Sequence, residues 1–110
     1  MPRPMGWLSK VQIGALLVLL ADEDVTVRHS AQKVLFKQDR TALAQHAGDV
    51  VLEFEHSDFR RRAGAMLVLV RSGRAAIAQF TEAVVLRLND SHFDVRERAL
   101  LALTKLEPAR

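Results

Sequence analysis

Apolar residues recur along this chain at helical spacing, and they do so twice in every 34 residues. Ile13, Leu16, Leu17 and Leu20 stand at i, i+3, i+4 and i+7, and Ala47, Val50, Val51 and Phe54 repeat the pattern 34 positions later. A second stripe, Val27, Ala31, Val34 and Leu35, returns as Val95, Ala99, Ala102 and Leu103. Its small central alanines let paired helices approach closely. The spacing predicts helices over about 8–20, 25–37, 42–55, 58–71, 76–88 and 92–106, with Pro108 stopping the last.

The 34-residue offset holds in detail and needs no insertion. Arg28, Arg62 and Arg96 share a column, as do Ala31, Ala65 and Ala99, and Leu35, Leu69 and Leu103. Other columns keep chemistry rather than identity, such as Leu20, Phe54 and Leu88. Within each copy a short polar link, "ADED", "EHSD" or "NDSH", precedes the second helix. Asp, Asn and Ser suit that place because their side chains accept hydrogen bonds from the free N–H groups of a helix start. The links between copies, "KQDR" and "RSGR", bring basic groups to a helix C-terminus, the sign its dipole favours.

A helix pair of this length, with Asp or Asn before the second helix and "VR" followed by Ala, resembles a HEAT repeat. The motif reads "DEDVTVRHSAQKVL", "HSDFRRRAGAMLVL" and "DSHFDVRERALLAL". It is also similar to the short HEAT-like repeats named after phycobilisome lyases. The resemblance implies an all-α fold, an α-solenoid of three antiparallel helix pairs, with repeats at about 8–40, 41–74 and 75–108. First helices would form its convex side and second helices its concave side. Residues 1–110 then make one repeat domain, and the register of Ala109 and Arg110 with Ala75 and Ala76 suits a piece of a longer array. In the family the repeated Asp and Arg hydrogen-bond within and between repeats, and Asp22 with Arg28 and Asp90 with Arg96 match that role. The middle copy departs, with His56 in the Asp column and Arg61 in the column of Val27 and Val95. A buried arginine without a partner is costly, so Arg61 is expected to reach the surface, pair with a carboxylate or be presented to a ligand. Trp7 is expected to shield one end of the stack in part.

Composition narrows the functional classes. At 110 residues, 49% hydrophobic and 26% charged, the chain suits one soluble globular domain. It contains no cysteine, which removes disulfides and thiolate metal sites and fits either redox compartment; the cytoplasm is favoured. The net charge of +3, without a block of like charges, disfavours a nucleic-acid tail. The apolar run after Arg3 and Lys10 looks like a signal peptide, but without a cleavage motif it reads better as the first helix of the first copy. It is too short to span a membrane. "EHSD" sets His, Ser and an acid side by side, yet neighbours in a short loop rarely form a hydrogen-bonded relay, so no catalytic residues are assigned. The four histidines lack ligand spacing, and neither metal nor cofactor is expected.

What the repeat motif leaves unexplained is a set of basic and apolar residues on the second helices. Stacked copies would align Lys33, Lys37, Arg60, Arg71, Arg98 and Lys105 around Leu67 and Leu101. Basic groups flanking apolar ones suit an acidic, amphipathic protein segment. The expected function is a non-catalytic protein-interaction scaffold that binds through this concave face or an open solenoid end. A nucleic-acid-binding repeat is the first alternative, opposed by Glu97, Asp94 and a single nearby aromatic, Phe36. An accessory subunit of an enzyme such as a chromophore lyase is another, resting on analogy of fold alone.

Overall fold

The short polar links cap helices with a regularity that matches the sequence period. In the computed structural model, which describes residues 7–108, Asp24 Oδ1 accepts the Thr26 N–H at 2.8 Å and Asp58 Oδ1 accepts the Arg60 N–H at 2.9 Å. At the third equivalent position the cap is His92, whose Nδ1 accepts the Asp94 N–H at 3.1 Å. The group two residues before each cap folds back on it: Asp22, His56 and Asp90 accept the N–H of residues 24, 58 and 92. Asp90 and Ser91 therefore do not cap α8 themselves.

These caps start α2 (Val25–Phe36), α5 (Phe59–Ser72) and α8 (Phe93–Thr104). α1 (Lys10–Leu19) opens with a reciprocal Ser9–Gln12 capping box. The remaining helices are short: α3 (Arg40–Ala44), α4 (Ala47–Leu52), α6 (Arg74–Gln79) and α7 (Thr81–Leu86), with 3₁₀ turns over Glu53–Glu55 and Arg87–Asn89. The all-helical expectation holds, with no strand among the described residues. Two predicted helices, at about 42–55 and 76–88, are broken instead of continuous. The breaks fall at His46 (φ −101°, ψ 5°) and Phe80 (φ −115°, ψ 29°), again 34 residues apart. A bend there lets α3 and α4 both lie on α5.

α5 is the hub. It packs on α1, α3, α4, α6 and α8, and Ala63, Gly64, Ala65, Met66, Val68 and Leu69 are all buried. Leu35, Leu43, Val50, Phe54, Ile77, Val84 and Ala99 are among the other buried residues of the core. Burying each of the larger side chains contributes about 2 kcal/mol. The principal extents, 44 × 40 × 21 Å, give a slab about two helix diameters thick. Gly73 joins α5 to α6 at φ +99°, where a side chain would be strained and its Cβ would meet the stem of Arg40.

Trp7 is half exposed, with its backbone N–H donating to Gln38 Oε1 at 3.0 Å near the end of α2. Ala109 and Arg110, which extend the repeat register, lie outside the described residues.

Candidate binding surface

The repeated arginines share one anchor, a bond to the carbonyl six residues back. Nη1 of Arg28 donates to the carbonyls of Asp22 and Glu23, Nη1 of Arg62 to those of His56 and Ser57, and Nη1 of Arg96 to that of Asp90. The bond is thus from arginine to backbone; the aspartate side chain of the same copy is not its acceptor. Arg62 alone goes further, gripping Asp90 of the next copy with Nε (2.8 Å) and Nη2 (2.9 Å). Both side chains are buried, and Arg87 adds a third contact to Asp90 at 3.3 Å. Burial by itself raises the Asp90 carboxyl. Hydrogen bonds from Arg62 and the His92 N–H, with the charges of Arg62 and Arg87, outweigh it and hold the group below the ordinary carboxylate range. The hydrogen bond to Asp90 in turn raises Arg62, so the pair stays ionised. The Phe59 ring stacks on His92 at 3.6 Å alongside it.

No such clamp joins α2 to α5, because His56 stands in the Asp column and Val25 in that of Phe59. α8 packs closely along α5, whereas α2 meets it at few points. Two grooves open in the space. The larger, about 620 Å³, is lined by Phe36, Leu67, Val70, Arg71, Arg40, Arg74 and Lys105, with Gln38 and Gly73. The smaller, about 160 Å³, lies between Val25, Arg28, His29, Gln32, Gly64, Leu67 and Arg98. Leu67 belongs to both.

Of the residues expected to share one surface, the larger groove gathers Leu67, Arg71 and Lys105, and the smaller adds Arg98 to Leu67. Lys33, Lys37, Arg60 and Leu101 line neither. The wall on α2 is Val25, Arg28, His29, Gln32 and Phe36, and the expected Lys33 and Lys37 stand one residue beyond Gln32 and Phe36 on the neighbouring flank. Arg98 is partly committed, donating to the Ala63 carbonyl at 2.9 Å. The Arg71 guanidinium lies over the Phe36 ring, 4.6 Å from its centroid.

Arg40 and Arg74 do not serve a helix C-terminus as the links predict. They sit 34 residues apart at the ends of "KQDR" and "RSGR", but each begins a helix, where a cation gains nothing from the dipole. Their shared place at the mouth of the groove accounts for them better. Arg40, Arg71, Arg74 and Lys105 make four cations around Phe36, Leu67 and Val70, and no lining residue is acidic.

The other polar candidates are committed to structure. Arg61 pairs with Glu53, as the carboxylate alternative expected. In "EHSD", His56 Nδ1 and the Asp58 carboxylate both accept backbone N–H groups. Among the described residues no cluster of three or more His, Asp or Glu could hold a metal, and no helix is long and apolar enough to cross a membrane. Compared with protein-family models, curated proteins and solved structures, the chain matches none.

Proposed function

We propose that the chain is a HEAT-like α-solenoid of three helix pairs acting as a non-catalytic scaffold, and that its larger groove binds an acidic, amphipathic segment of a partner protein. The fold part of the reading is supported by caps, arginine anchors and helix breaks that recur at the 34-residue offset. The single observation that carries the function is the groove's composition: four cations at the rim, apolar Phe36, Leu67 and Val70 inside, and no acidic lining residue. Carboxylates of a bound helix would meet Arg71, Arg74 and Lys105 while its apolar stripe covers Leu67 and Val70. Nucleic acid is the poorer fit, because the ring of Phe36 is covered by Arg71 and offers no free stacking platform.

Fluorescence anisotropy with a labelled acidic amphipathic peptide tests this against a charge-neutral version and a single-stranded oligonucleotide. Binding of the acidic peptide alone is expected, weakened at least about tenfold by Arg71→Glu with Lys105→Glu. Equal binding of the neutral peptide, or unchanged affinity in the double variant, would remove the groove. Preferential binding of the oligonucleotide, falling steeply with salt, would transfer the surface to nucleic acid.

A further inference from the structure

The Arg62–Asp90 clamp has two unmatched halves elsewhere in the chain. Arg96 is anchored like Arg62, with Nη1 on a carbonyl at 2.7 Å, and among the described residues its Nε and Nη2 meet no acceptor. Asp22 is held like Asp90, with Oδ1 accepting the N–H two residues on at 2.9 Å, and among the described residues its other oxygen meets no donor. One lies on the outer side of α8 and the other at the start of α2. Each half has the local geometry of the clamp, and each lacks the other.

The apolar surfaces around them are unmatched in the same way. α1 and α2 present an open groove of about 280 Å³ lined by Leu16, Leu19, Val27, Ala31 and Val34, with Thr26 and Ser30. Two repeats on, the positions of Leu16, Val27, Ala31 and Val34 are Val84, Val95, Ala99 and Ala102, all fully buried. On α8, Phe93 and Leu100 are more than half exposed, while the residue equivalent to Leu100 in α5 is the fully buried Met66. Glu97 replaces the buried Ala63, and the hydroxyls of Thr26 and Ser30 would give its carboxylate donors.

We infer that these two faces bind each other between copies of the chain, head to tail, with Arg96 of one copy clamping Asp22 of the next as Arg62 clamps Asp90. The occupant is a second copy because this chain carries both the cation and the carboxylate of the clamp, on faces that match the two sides of its own α5–α8 junction. The contact is heterologous, so it leaves one face open at each end and propagates into short rows instead of closing a symmetric pair. The inference rests on the stacked-repeat reading of the fold and is independent of the cationic groove.

Sedimentation velocity of the full chain from about 10 μM to about 1 mM, the range of weak contacts, reads the association. The weight-average mass should rise with concentration for the unaltered protein and stay monomeric for Asp22→Arg and for Arg96→Asp, each of which sets like charges face to face. Mixing the two variants should restore association in rows of alternating composition, since every contact between unlike chains then pairs opposite charges. An unaltered chain that stays monomeric throughout, or association that survives both reversals, would overturn the proposal. So would a mixture that fails to pair while both variants keep the circular dichroism of the folded chain. Asp90→Asn, measured alongside for thermal stability, separates the two ideas. If it is as stable as the parent, the stacking template itself is wrong; if it is destabilised while the parent stays monomeric, only the self-association is lost.

Discussion

The α2–α5 and α5–α8 junctions join helices of the same repeat column, yet they are held differently. At α5–α8 a buried arginine grips a buried aspartate with two bonds, a phenylalanine stacks on a histidine, and the helices pack closely. At α2–α5 the aspartate is His56, the phenylalanine is Val25, and α2 meets α5 at few points. His56 keeps the local half of the aspartate's role, since its Nδ1 still accepts the N–H two residues on. It cannot offer Arg28 a carboxylate. Across the first junction the Arg71 guanidinium lies over the Phe36 ring, and Leu20 at the end of α1 is seated against Gly64. One side-chain change thus separates two tasks that a single Asp performs elsewhere, and the looser junction is where the grooves open.

The largest test of this contrast is Asp90→Asn, which leaves Arg62 buried beside a neutral partner and should cost about 3 kcal/mol in denaturant unfolding. The cost should also depend on pH. Asp90 is depressed in the folded state, so its contribution is present above the unfolded value of about 4 and is lost as pH falls through the folded value. The stability gap between parent and Asp90→Asn should therefore close in acid below about pH 4. A gap that is constant with pH would mean that the charge on Asp90 is not what holds the junction.

Smaller effects should mark the other side. Gly64→Ala places a methyl 3.0 Å from Leu20 Cβ, and the crowding should exceed the gain in helix propensity, for a net loss of about 1 kcal/mol. His56→Ala removes one acceptor from the Asp58 N–H and should cost about 1 kcal/mol, clearly less than Asp90→Asn. The smallest change, His56→Asp, should stabilise by about 0.5 kcal/mol by giving Arg28 a counter-charge. If His56→Ala proves as damaging as Asp90→Asn in the same unfolding assay, the two junctions are equivalent and the contrast fails.

The candidate surface was only partly readable. The cationic columns were visible because Arg40 and Arg74, like Arg71 and Lys105, stand at the repeat interval in the sequence. Which of them share a groove was not, because Lys33 and Arg71 look equivalent by helical phase and differ only in the flank that faces a neighbouring helix. Arg98 shows a related limit, since its reach to the Ala63 carbonyl depends on how closely α8 approaches α5.

The sequence by itself determined the all-helical character, the 34-residue offset, the polar links and most of the core, because helical phase and capping are local properties that a few consecutive residues express. Only the tertiary structure decided that Asp90 answers Arg62 and not Arg96, that the links after α4 and α7 lead into differently held junctions, and that four cations surround Leu67 and Val70. Those depend on the distance and rotation between helices, which sum small contacts over many residues and are written in no single motif.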